Sequence, residues 1–203
     1  MSVGLEFALV GNVARFAREF VGVPVADRPA ARCPCCNEPV VWKAGDVKVP
    51  HVAHARDSAC AASRPETAAH MNAKARVAHI LGGGKRLWIR LRCQCGATVR
   101  AVWNVPAWCR AEIEYRVGSR RPDVVLFNEA GGIVAAVEVL HSHAVDAEKA
   151  SDLAFYRTRW IETRASEVNR WARGLTSASE NARSLHVWNG DAASLAVRCR
   201  RCA

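Results

Sequence analysis

The sequence predicts a layered α/β protein with a small, metal-stapled β lobe near its N-terminus. Three observations lead there. A well-punctuated helix, PETAAHMNAKARVAHIL, is followed by a series of strand-like runs and then by helix, strand, helix, strand, an order that suits an α/β layer rather than a bundle. Residues 33–60, CPCCNEPVVWKAGDVKVPHVAHARDSAC, carry thiols and imidazoles but too little apolar mass for a core of their own. The chain has 203 residues and is 50% hydrophobic, enough for one sizeable core and such a lobe. The expected division is 1–62 for the N-terminal segment with its lobe and 63–203 for the core.

Taken in order, residues 1–32 read as a strand or two and a linker ending in the turn-like VADRPAAR. In the lobe, PVVWK and VKVPH read as short strands around the turn signal AGD. Cys33 and Cys36 have the spacing of a zinc knuckle, and His54 with Cys60 is the natural completion of a closed tetrahedral Zn²⁺ site. Cys35 is an alternative thiolate, and His51 can replace His54 or support it from behind. Ser63 is a plausible cap for the helix, Pro65 suits its first turn, and the glycines at 82–84 end it. Strand candidates follow in RLWIRLRC, ATVRAVW, AEIEYRV, RPDVVLF and GIVAAVEVL. A helix over roughly 145–156, a strand in TRWIETR, a short helix near 165–173 and a last strand in SLHVWNG complete the chain. A second thiol set, Cys93-x-Cys95 with Cys199-x2-Cys202, can form another Zn²⁺ site only if the C-terminus folds back beside the first core strand; Cys109 is an alternative ligand.

Lys and Arg total 29 against 19 Asp and Glu, and the resulting +10 favours a polyanionic partner, nucleic acid ahead of a membrane. The N-terminal MSVGLEFALVGNVARF lacks a basic leader, and its apolar run is cut by Arg15, so a cytoplasmic protein without a signal peptide is expected. Nine cysteines in a reducing compartment point to metal ligation before disulfides. Thiol redox chemistry at CPCC is the weaker alternative, since no thioredoxin-like βαβ pattern accompanies it.

The sharpest feature is VEVLHSHAVDAEK, residues 137–149. A strand carries Glu138 among valines, which costs several kcal/mol unless the carboxylate is compensated. RPDVVLFNEAGGIVAAVEVL reads as a hairpin turning at NEAGG. A loop over 129–132 sets Phe127 near Val134, Val125 near Ala136, and Asp123 directly opposite Glu138, on one face. Two such carboxylates repel, so this register calls for a cation between them; hard oxygen ligands favour Mg²⁺ or Mn²⁺. A register shifted by one residue would instead pair Glu138 with an arginine.

This stretch, PD followed by a hairpin and then E, resembles the PD-(D/E)xK phosphodiesterase motif. Together with CPCC, HVAH and ETAAH with a lysine four residues later, it resembles the competence protein CoiA-like nuclease family of that superfamily, over about residues 33–165. The resemblance implies a restriction-endonuclease-like core, a central mixed sheet flanked by helices. Asp123 and Glu138 would hold the metal, with Glu66 as a third carboxylate from the preceding helix. Glu66, His70 and Lys74 lie along one helix face. The pattern departs from the motif at Leu140, where lysine is expected; Lys149 on the following helix and His143 are the candidates to replace it.

The implied activity is hydrolysis of DNA phosphodiester bonds by a Mg²⁺- or Mn²⁺-dependent nuclease, in recombination and competence or in mobile-element or defence processing. Lys149 or His143 would orient water or neutralise phosphate. His141 reads as an ordinary polar residue at a strand end. Candidate DNA contacts are His70, Lys74, Arg120 and Arg121, with Arg116 nearby. Arginines at 157–173 stand among Tyr156, Trp160 and Trp171, which could stack unpaired bases but are more often core. A different class of function, a zinc-containing DNA-binding or scaffolding module with a decayed nuclease core, has Leu140 in its favour.

Overall fold

The computed structural model describes residues 4–11, 13–54, 59–60, 65–84, 86–93, 95–140, 147–155, 158–175, 183–191, 194–196 and 202, with the side chains of 65, 66, 154, 155, 173 and 174 outside the description. Among these residues the fold is mixed α/β, with three sheets and three α-helices. It divides into two compact units, Met1–Ala75 and Arg76–Ala203. The division falls inside a helix, where the sequence punctuation puts a boundary ahead of it.

The first unit is built on an antiparallel sheet of β1 (Phe7–Val10), β2 (Val13–Phe16), β3 (Ala31–Arg32), β4 (Pro39–Lys43) and β5 (His51–His54), in the order β2-β1-β3-β4-β5. Residues 1–32 thus complete the lobe's sheet, a contribution their pattern did not announce. Phe7, Phe16, Phe20 and Trp42 are buried, with the Phe20 and Trp42 rings 4.5 Å apart. β4 alternates as a half-buried strand should, Val40 and Trp42 inward and Val41 outward. Arg28 holds VADRPAAR in place by donating to the carbonyls of Val23, Trp42 and Ala44. One expectation needs correcting: VKVPH is not a strand. Val47 and Val49 are 97% and 74% exposed, and pairing begins only at His51, after Pro50, which has no N–H to give a ladder.

α1 (Pro65–Leu81) begins in the first unit, where the Asn72 side chain accepts from Glu6 N and donates to Gly4 O. The second unit contains its C-terminal turn. There Trp108 Nε1 donates to Leu81 O, and Gly84, at φ +69°, turns the chain away.

β6 (Trp88–Arg92) and β7 (Thr98–Val102) form an antiparallel pair. β8 (Arg110–Ile113), β9 (Val124–Phe127) and β10 (Ile133–Leu140) form a meander, α2 (Ala147–Phe155) crosses over, and β11 (Arg159–Arg164) returns parallel to β10. After α3 (Ala165–Gly174), the expected last strand splits in two. β12 (Leu185–His186) joins β6, and β13 (Asn189–Gly190) joins β11. The central sheet runs β13-β11-β10-β9-β8; its middle strand, β10, is buried along nearly its whole length, as expected for a strand covered on both faces. A satellite sheet runs β12-β6-β7.

Candidate active site and zinc centres

The β9–β10 hairpin carries a bulge. Ile133 pairs with Phe127 and Ala135 with Leu126, so Val134 is the extra residue and Phe127 lies opposite Ile133 rather than Val134. Beyond the bulge Val125 faces Ala136 and Val124 faces Val137, and one step further sets Asp123 against Glu138. Asp123 Oδ2 accepts the backbone N–H of Val139 at 2.8 Å, which ties its carboxylate to the end of β10.

α2 lies on the face of the sheet that bears these acids. Leu153 packs with Ala136 and Trp160, and Lys149, one helical turn earlier, reaches Glu138 Oε2 at 2.7 Å. Glu138 is almost wholly buried, and its second oxygen, Oε1, has no hydrogen-bond partner among the described residues. Burial and the neighbouring Asp123 charge push its carboxyl up to about 7, against the opposing pull of the Lys149 ammonium.

Glu162 is an acid the sequence reading passed over. Parallel pairing sets it beside Glu138, and Asn189 lies beyond it on β13, so one row crosses three strands. Glu162 is 2% exposed. The signal was present in TRWIETR, an acid inside an apolar run as in VEV. Asp123, Glu138 and Glu162 do not bring three ligand atoms to one centre among the described residues, where both groups that do so are rich in cysteine.

His143 and His141 lie outside the described residues, as does the Glu66 side chain. His70 is partly buried on α1, and Lys74 is buried at 7% exposure, so its ammonium is not a freely exposed charge. Arg120 binds α2: its guanidinium pairs with Asp152 and, at 2.6 Å, with Glu148. Arg121 is exposed and meets the carbonyl and carboxylate of Glu114.

In the first unit Cys33, Cys36, His54 and Cys60 bring their ligand atoms within 4.8 Å of one another. Cys33 and Cys60 sulfurs are 3.8 Å apart, and Cys36 Sγ is 3.3 Å from His54 Nε2. The turn that shapes the knuckle closes from Asn37 N to Cys33 O, with Asn37 at φ 61°, a conformation asparagine tolerates. Burial pushes the Cys33 thiol up, while backbone N–H groups of Cys36 and Cys35 favour its thiolate. Three sulfurs and one imidazole around one centre fit Zn²⁺. The geometry also separates the alternatives. Cys35 is exposed outside the group, and His51 Nδ1 sits 2.9 Å from Val49 O.

In the second unit Cys93, Cys95 and Cys202 form a smaller group that can hold a metal, which requires the C-terminus to return to the end of β6. Cys109 is exposed and apart from it, and Cys199 lies outside the described residues.

Residues 30–63 match the family model for the N-terminal domain of the competence protein CoiA. No curated protein and no solved structure matches the chain. No helix among the described residues is long and apolar enough to cross a membrane. The matched segment contains the whole Cys33, Cys36, His54, Cys60 group, so the CoiA-like match and the ligand geometry coincide over residues 30–63.

Proposed function

We propose that the chain is a CoiA-like, Mg²⁺- or Mn²⁺-dependent deoxyribonuclease with structural zinc, serving a competence-related role. The observation that carries this reading is the buried Glu138, with one oxygen on Lys149, the other without a hydrogen-bond partner among the described residues, and Asp123 alongside. A buried carboxylate oxygen lacking a donor is what a cation would satisfy, so the residues fit a hard metal ion. Asp123 and Glu138 would hold it, with water completing its shell. When bound, the ion supplies the charge that makes water nucleophilic near neutral pH and stabilises the leaving oxygen.

The chain's own residues have distinct roles. Lys149 holds its ammonium beside the acids, where it can neutralise a phosphate or orient water, the part left open at Leu140. Asp123 is held by Val139 N, which orients its carboxylate. Glu162 stands beside Glu138 in the same row of the sheet.

Purified protein should cleave DNA in Mg²⁺ or Mn²⁺, and Asp123→Ala and Glu138→Ala should each abolish cleavage with zinc content and circular dichroism unchanged. Unaltered cleavage in both variants would overturn the assignment. One observation favours a second reading: Leu140 stands where the motif has its lysine. In that case the protein is a zinc-containing DNA-binding or scaffolding module, and it binds DNA in a salt-sensitive manner without turnover in any divalent metal.

A further inference from the structure

The seven tryptophans divide unequally. Trp42, Trp103, Trp108, Trp160 and Trp171 are buried, whereas Trp88 and Trp188 are 38% and 51% exposed. Both exposed ones belong to the satellite sheet β12-β6-β7 and its continuation. Ile89, Leu91 and Leu185 fill the buried face of that sheet. Alternation then turns Trp88, Arg90 and Arg92 to the other face, and cross-strand pairing aligns Arg90 with Arg100 on β7 and His186 on β12.

Each exposed indole lies under a guanidinium. Arg100 stands 3.7 Å from the Trp88 ring centre and is steadied by Ser184 Oγ at 2.7 Å; Arg164 stands 4.1 Å from the Trp188 ring centre. The His186 ring is 4.8 Å from Trp188. Glu167 of α3, buried at 8% exposure, is taken up by Arg170 and Arg90, and among the described residues the face keeps a positive excess. Trp188 follows β12 and donates its backbone N–H to Glu162 O on β11, and its ring is joined to the Arg90 row through His186. The two rings are thus separate stacking positions.

From these observations we infer that the Trp88–Trp188 face of the satellite sheet is a docking platform for single-stranded DNA, with bases stacked on the two indoles and phosphates met by Arg92, Arg100 and Arg164. Rings held rigid by arginines and flanked by positive charge suit an unpaired polynucleotide: every base has a π-face, whereas a duplex hides its bases from a flat sheet. The inference rests on the DNA-nuclease reading for the choice of DNA as partner and names the strand form that reaches the site.

The test measures anisotropy of a labelled oligothymidylate of about 20 nucleotides with the full chain in buffer without added divalent ion, where cleavage does not intrude. Trp88→Ala and Trp188→Ala should each weaken binding by about tenfold, and Trp→Phe at either position should retain most of it. Iododeoxyuridine crosslinking of the wild-type protein should label peptides containing Trp88 or Trp188, which keeps the test independent of variant folding. Wild-type affinity in the doubly substituted, folded protein, crosslinks confined to other peptides, or tighter binding of duplex or of RNA would each overturn the platform. Mg²⁺-dependent cleavage that persists alongside such a result leaves the nuclease reading standing. Tryptophan-dependent binding without cleavage sinks only the nuclease.

Discussion

At Glu138 a single residue ties folding to the proposed chemistry. Burial and the Asp123 charge push its carboxyl up to about 7, against the opposing pull of Lys149. The folded state therefore holds a proton that the unfolded chain has released. This contribution to stability is fully present below about pH 4.5 and is lost as pH rises through about 7, a change on the order of 3 kcal/mol. Urea titrations across that window should show the decline, and Glu138→Gln should flatten it. Lys149→Ala supplies the complementary expectation. The Lys149 variant leaves Glu138 without its counter-charge, so it should cost little at about pH 5, where the acid is neutral, and about 3 kcal/mol more at about pH 8. A pH-independent cost would mean that Lys149 acts through packing alone.

At the scale of elements, the decisive contact is between the β8–β9 connection and α2. Arg120 grips Glu148 and Asp152, one residue before and three residues after Lys149, from a turn closed by the Val117 and Arg120 backbones. On the proposed nuclease reading it positions Lys149. Arg120→Ala should lower kcat for cleavage about tenfold with KM nearly unchanged, and Arg120→Lys should restore part of it. A pure loss of DNA affinity, with kcat intact, would return Arg120 to the role of a phosphate contact. A second element-level expectation concerns Gly84. A Cβ there would stand only 2.4 Å from Trp108 O at a positive φ, so Gly84→Ala should destabilise the second unit by about 2 kcal/mol or more in thermal melts. The pairing of Asp123 with Glu138 was legible across NEAGG, but only because a bulge makes up for a turn one residue shorter than the count assumes. The bulge at Val134 was not, since an extra residue leaves no mark in an all-apolar run. Glu162 escaped notice because its place beside Glu138 depends on parallel pairing across a helix, which local pattern does not encode. VKVPH misled because Val47 and Val49 mimic a buried alternation that the fold leaves in solvent.

At the scale of the whole molecule, each compact unit has a sheet and a cysteine-rich group of its own. In the first unit the sheet carries aromatic packing from residues 1–32, so zinc is not the sole source of order, contrary to the view of residues 33–60 as a segment held by metal alone. Yet Cys60 lies beyond β5 and Cys33 after β3, and the proposed Zn²⁺ would close the chain between them. Removing it leaves three thiols and an imidazole without a common partner and frees the knuckle. The wild-type protein should release two zinc ions per chain in a chromogenic assay after thiol modification, one for each group. Cys33→Ser should retain one zinc and lower the melting transition of the first unit by about 10 °C, leaving the second unit's transition in place. Cys93→Ser should do the reverse. If Cys33→Ser instead collapses both transitions together, the two units fold as one cooperative body and their separation is structural only. If either variant keeps both zinc ions, the corresponding cysteine group is not a metal centre.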